Sequence, residues 1–247
     1  MKINRLEPKF IKKSNPRIGL ITLASDFRIE KDFNNVIYGK GVDLYSNRIK
    51  SYNPLTNSSL KKMANDIPKV VENILPNEKL DCIAYGCTSG TIAAGYKSIY
   101  DKINSVKPKT KVTTPITSAI NALNALKIKK ISIFTPYTDE INQSVIKYFK
   151  EEKLEVIELS YLNISSDLDI GKIDPNHLFD LLTKQDLSNS EALFISCTAL
   201  PVLSIIKDLE KKLGKVILSS NQTLIWDSLK KADCKNKVEG YGELFNN

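Results

Sequence analysis

DCIAYGCTS at residues 81–89 and EALFISCTA at residues 191–199 are two short apolar runs, each ending in Cys-Thr, set 110 residues apart. Upstream of each lies a second matching pair, RIGLITLA at 17–24 and KISIFTPY at 130–137, at an offset of 113. Two independent anchors that agree within three residues mark an internal repeat, so the chain reads as two similar α/β halves of about four strands each. Working outward, apolar runs rich in β-branched residues predict strands at 18–23, 42–45, 82–85, 111–113, 130–134, 154–159, 192–195 and 216–218. Between them, helical periodicity predicts helices near 60–75, 89–104, 117–127, 138–151, 175–185, 200–213 and 221–231. Strict alternation of this kind belongs to parallel sheets covered by helices, the α/β class. Each Cys-Thr then falls just after the third strand of its half, where open parallel sheets bind ligands. If the halves are related by a pseudo-twofold axis, Cys87 and Cys197 face each other across one cleft.

Composition narrows the function. The 247 residues are 42% apolar and 26% charged, which excludes disordered and fibrous chains. A net charge of +8 invites a nucleic-acid reading, but arginine, the bidentate phosphate and guanine ligand, occurs only at positions 5, 17, 28 and 48. Most lysines lie among acids, as in EEKLE at 151–155, and read as solvated helix faces, so no nucleic-acid partner is expected. Apolar runs all fall short of the ~18 residues that cross a bilayer, and MKINRLEPKFIKK lacks the apolar core of a signal peptide. No membrane partner and a cytoplasmic location are therefore expected. Cys82, Cys87, Cys197 and Cys234 are too few for a disulfide scaffold and form no CxxC pair, so no metal site is expected.

A thiol just before a helix, as in GCTSGT (86–91) and ISCTALP (195–201), meets unpaired N–H groups that favour an anion. Such a terminus lowers a thiol pKa from ~8.5 and also holds a substrate carboxylate, with Thr88, Ser89 and Thr198 adding hydroxyl donors. Two thiols flanking one carbon suit inversion of a stereocentre by removing a proton from one face and delivering one to the other. They equally suit addition of a thiolate to an activated alkene, rotation about the new single bond and elimination to the other geometric isomer. The residues alone leave both open. Nucleotide motifs GxxxxGK and GxGxxG are absent, and the lone His177 sits in the helical pattern PNHLFDLL as a surface or packing residue, so no cofactor is expected. Cys82 reads as a small core residue, while Tyr85 and Tyr161 read as packing residues.

The paired Cys-Thr turns, TPYTDEIN (135–142) and SSNQTLIWDSL (219–229) together resemble the aspartate/glutamate racemase superfamily over roughly residues 15–243. Within it the chain resembles the branch of maleate cis-trans isomerases, arylmalonate decarboxylases and the EutA-type proteins of ectoine utilisation. LITLASDFRIEKDF (20–33) followed by GCTSGT is most similar to the EutA type. The resemblance implies two Rossmann-like lobes with parallel four-stranded sheets, a pseudo-twofold axis, an active site between the lobes and no cofactor. It makes Cys87 and Cys197 the catalytic thiols, with Cys87 as nucleophile and Cys197 as proton donor if the reaction is maleate isomerisation. Thr88 and Ser89 would bind a carboxylate, Tyr137 would donate to a carboxylate or enediolate oxygen, and Thr198 would hold the other end. Arylmalonate decarboxylases keep glycine at the position of Cys87, so the second thiol here argues against that activity. Asp26 falls where relatives of the isomerase type place a carboxylate-binding asparagine, and would repel a second carboxylate or bind an ammonium group. Asn221 and Gln222 would cap the final helix or reach the cleft.

The expected reaction is thus isomerisation or racemisation of a small carboxylate, a dicarboxylate or an amino acid derivative, with ectoine or hydroxyectoine breakdown as one setting. A non-catalytic carboxylate-binding protein is the alternative from another class. The expected lobes are 1–115 plus a C-terminal return at 217–247, and 116–216. The expected partner is the small carboxylate itself, and the resemblance leaves room for a homo-oligomer.

Overall fold

The computed structural model describes residues 1, 3–11 and 15–246. Parts of the opening segment read for a leader, positions 2 and 12–14, and the final residue of the expected C-terminal return lie outside the described residues. Two four-stranded parallel sheets carry the fold. The first contains β1 (Arg17–Leu23), β2 (Asp43–Ile49), β3 (Cys82–Gly86) and β4 (Lys111–Thr113) in the order β2-β1-β3-β4. The second contains β5 (Lys130–Thr135), β6 (Glu155–Tyr161), β7 (Ala192–Ile195) and β8 (Val216–Ser219) in the order β6-β5-β7-β8. The second order repeats the first strand for strand, and every pairing is parallel.

Covered on both faces, the inner strands are continuous apolar runs: CIAYG in β3 and ALFI in β7 are buried at every position. The edge strands β2 and β6 keep exposed positions. Among the described residues, eleven α-helices surround the strands: α1 (Ile29–Ile37), α2 (Asn57–Met63), α3 (Ile67–Glu72), α4 (Thr88–Ala94), α5 (Tyr96–Asn104), α6 (Pro115–Ala125), α7 (Asp139–Glu151), α8 (Asp167–Gly171), α9 (Pro175–Leu182), α10 (Ile206–Leu213) and α11 (Ser220–Lys231). The last of these leaves the second sheet and returns to the first. Leu224, Ile225 and Leu229 of α11 pack with Ile18, Leu20, Cys82 and Ala84 of β1 and β3, each fully buried side chain contributing about 1.5–3 kcal/mol.

The structure corrects several boundaries. The stretch between the first two strands, where no helix was expected, contains α1, whose Ile29, Phe33, Val36 and Ile37 form one buried stripe among polar residues. The helix expected over 89–104 is broken at Gly95, which takes φ +82 between α4 and α5. The one expected over 60–75 is divided into α2 and α3 by a 3-10 turn at Ala64–Asp66. The helix expected from 200 begins only at Ile206, because Pro201 and the turn after it interrupt the chain. Tyr161, read as a packing residue, ends β6 with 44% of its surface exposed. Cys82 lies fully buried in β3 and His177 lies exposed on α9, as read.

Candidate active site

Both Cys-Thr turns occupy the carboxyl ends of corresponding strands, β3 and β7. Cys87 is the N-cap of α4 in extended backbone, and its Sγ accepts the Gly90 N–H at 3.2 Å with Ser89 Oγ at 3.9 Å. Glycine is required at 90, since a Cβ there would lie 2.7 Å from that sulfur and 3.0 Å from the Tyr85 hydroxyl. Cys197 instead takes φ +120, a left-handed conformation that costs a non-glycine residue about 1–3 kcal/mol. Its N–H donates to Ser220 Oγ at 3.0 Å, and the same hydroxyl pairs with Thr88 Oγ1 at 2.9 Å. Ser220, the first residue of α11, therefore joins the two turns directly. A second tie runs from Thr198 Oγ1 to the Gly86 carbonyl at 3.4 Å.

Tyr137 is buried at the end of β5 and presents its hydroxyl to Cys197, where hydrogen bonding favours the thiolate. The turn that aims it is pinned by the Tyr137 N–H donating to Thr135 Oγ1 (3.2 Å) and Asn142 Nδ2 donating to the Tyr137 carbonyl (3.2 Å). Asp26 lies in the turn after β1, 1% exposed, with Oδ1 accepting the N–H groups of Arg28 (2.7 Å) and Ile29 (3.1 Å). Its Oδ2 has no hydrogen-bond partner. Asn221 does not cap α11. Ser219 and Gln222 form that cap, while Asn221 Nδ2 donates to Asp32 Oδ2 (2.7 Å) and to the Thr198 carbonyl (2.9 Å).

Electrostatically the thiols differ from expectation. Both are nearly enclosed, Cys87 at 4% and Cys197 at 6% exposure, and burial outweighs the N–H groups that face them. Burial pushes the Cys87 thiol up to about 12 despite the Gly90 N–H, with Asp167 and Asp26 adding to the rise. Cys197 is raised by burial and then by the Asp167 charge, partly offset by the Ala199 N–H and Tyr137. The helix-end lowering of the thiols is thus overridden in the closed cleft. Burial likewise raises Asp26, Asp32 (to about 7) and Asp167 (to about 6).

Two residues beside the thiol turns escaped the sequence reading. Asp167, the first residue of α8, is brought to the cleft by Ser25 Oγ, which donates to its Oδ2 at 2.6 Å across 142 positions. Ser220 was visible only as part of SSNQT after the last strand. Tyr85 is buried in the core as read, with its hydroxyl unpartnered beside Cys87. Among the described residues no cluster of His, Cys, Asp and Glu could hold a metal ion, and no helix is long and apolar enough to cross a membrane.

Paired parallel sheets of one strand order, with a cysteine at the same strand end in each, define an α/β fold built from two repeated sheets. The chain belongs to the arylmalonate decarboxylase family, whose model matches residues 66–245, and is an enzyme of that family. It is similar to a maleate isomerase of Geobacillus stearothermophilus, 25% identical over 244 residues that cover 93% of this chain and 96% of the relative. An arylmalonate decarboxylase of Bordetella bronchiseptica is 29% identical over 136 residues, covering 54% of this chain and 57% of the relative. Among solved structures the fold is shared with a Nocardia farcinica maleate cis-trans isomerase mutant carrying a covalently bound succinylcysteine, at TM-score 0.85 and 20% identity, covering 93% of this chain and 98% of the other.

Proposed function

We propose that the chain is a cofactor-independent isomerase or racemase of a small carboxylate, with Cys87 and Cys197 as its acid/base pair. The observation that carries this reading is the Ser220 bridge, which fixes the Cys87 and Cys197 turns against each other through Thr88 and the Cys197 N–H. In the reaction one thiolate takes the proton from the carbon beside the carboxylate, and the bonding electron pair passes into the carboxylate as an enediolate. The other thiol then delivers its proton to the opposite face, leaving the enzyme with thiol and thiolate exchanged. Thr88, Ser89, Thr198 and the Tyr137 hydroxyl are the donors that would hold the carboxylate and the developing oxyanion. The lobes assigned to 1–115 with 217–247 and to 116–216 would supply one thiol each.

A second reading, cis-trans isomerisation of maleate, draws support from the succinylcysteine in the Nocardia farcinica relative. Here Cys87, whose sulfur already accepts an N–H, would add to the alkene and Cys197 would protonate the adjacent carbon. Rotation and reversal of both steps release the isomer. Decarboxylation is less favoured because it proceeds in relatives with glycine in place of Cys87. Likeness to EutA-type proteins makes an intermediate of ectoine or hydroxyectoine breakdown a candidate substrate. Proton NMR in D2O with small amino acids of both hands and maleate tests these readings: deuterium entering at the α-carbon marks stereocentre chemistry, and fumarate marks the isomerase. Thermal stabilisation by a ligand that is never turned over, and unaltered by replacing either thiol with Ala, would instead indicate a binding protein.

A further inference from the structure

Two carboxyl groups share the enclosed cleft with the two thiols. Asp26 comes from the turn after β1 and Asp167 from the first position of α8, and both act on Cys87 and on Cys197. Asp26 spends one oxygen on the N-terminus of α1 and leaves Oδ2 without a donor, although the residue is 1% exposed. Asn221 Oδ1 is a second buried acceptor without a donor. Its amide orientation is fixed, because Nδ2 already serves two acceptors, Asp32 Oδ2 and the Thr198 carbonyl. Thr198 lies against both residues: its hydroxyl favours the Asp26 carboxylate, and its carbonyl accepts from Asn221 Nδ2.

The nearby cations are committed elsewhere. Arg28 Nε and Nη2 donate to the Gly171 carbonyl at 3.0 and 2.7 Å. Arg48 donates to the carbonyls of Leu23, Ala24 and Asp26 and pairs with Glu30. Asp32 adds a third acid behind Asn221, and the Asp26 charge raises it further. A buried acceptor left unpaired costs about 1–3 kcal/mol, and an unpaired carboxylate costs more. Arg48 favours the Asp26 carboxylate through its charge but hydrogen-bonds carbonyls and Glu30 instead, so the site is suited to a donor that arrives with the ligand.

We propose, resting on the reading of the site given above, that the substrate is a small amino acid with one carboxylate and an ammonium group beside the reacting carbon. Asp26 and Asp167 are its specificity-determining residues: they receive the nitrogen and turn away a second carboxylate. A cation held between these carboxylates and the sulfurs also favours the thiolate that the reaction needs.

Thermal unfolding of the full chain, titrated with β-alanine and with succinate, separates the two charge types on matched carbon frames. β-Alanine should stabilise the wild type with an apparent Kd at least about tenfold below that of succinate, and the Asp26→Asn/Asp167→Asn double variant should erase or invert that preference. Should the double variant not fold, Asp26→Asn alone serves, since its amide oxygen can still accept the α1 N–H groups. Equal or tighter binding of succinate by the wild type, stabilisation by neither compound, or an unchanged preference in the Asn variants would overturn the inference. Failure here is distinguishable from failure of the proposed reaction. A wild type that prefers succinate, yet loses maleate turnover on Cys87→Ala, keeps the thiol pair and loses only the amino acid specificity.

Discussion

Cys87 and Cys197 follow corresponding strands, yet one rests in extended backbone at the head of α4 while the other sits at φ +120 with no α-helix before Ile206. Their neighbours differ as well. Cys87 has the Gly90 N–H and Ser89 on its sulfur and the unpartnered Tyr85 hydroxyl close by, whereas Cys197 has Tyr137 and the Ala199 N–H. A repeated strand-and-turn therefore preserves where a thiol stands without preserving what surrounds it. Under the proposed reaction the two thiols would take different steps, with Cys87 held as an acceptor and Cys197 served by a hydroxyl donor.

The comparison breaks most visibly if either thiol is dispensable. Cys87→Ala and Cys197→Ala should each lower turnover by about three orders of magnitude or more in steady-state assays, because members of one proton-transfer pair do not substitute for each other. Next in size is the contrast between the tyrosines. Tyr137→Phe should slow turnover by about 10- to 100-fold, the worth of a donor aimed at a reacting group, with unfolding by heat little changed.

The Asp167 carboxyl sharpens the account through pH. Its folded pKa of about 6 lies above the ordinary aspartate value of 3.8, so the folded state holds the proton more tightly than the unfolded chain. Stability is accordingly greatest below the unfolded pKa and falls as pH rises through the folded pKa, by about 3 kcal/mol for this group. Asp167→Asn should flatten that part of the stability–pH profile in denaturant titrations. The smallest effect belongs to Tyr85→Phe, which removes a buried hydroxyl without a partner and should stabilise the fold by about 1 kcal/mol. A simultaneous fall in turnover would give Tyr85 a part beside Cys87, and unchanged turnover would leave it to packing.

Much of this was legible because it is written in local patterns. Fully buried strands such as ALFI and the repeat of Cys-Thr after them identify the sheets and both thiols, since burial on two faces forces apolar runs. Thr88, Ser89 and Thr198 come with the same turns. What escaped is set by long-range contacts. Asp167 sits in a polar stretch and reaches the cleft only through Ser25, and Ser220 gains its bridging role only where α11 returns to the first sheet. The thiol pKa was misjudged for a related reason: a helix end is visible in sequence, but the enclosure that overrides it depends on long-range packing, such as α11 meeting both turns through Ser220.

The central claim is that the two thiols act as one pair, and the most direct measurement is proton NMR in D2O of wild type, Cys87→Ala and Cys197→Ala with small amino acids of both hands and maleate. The account predicts cysteine-dependent conversion by the wild type, with solvent deuterium at the inverted α-carbon, and no conversion by either variant. Turnover by either variant at the wild-type rate would contradict it.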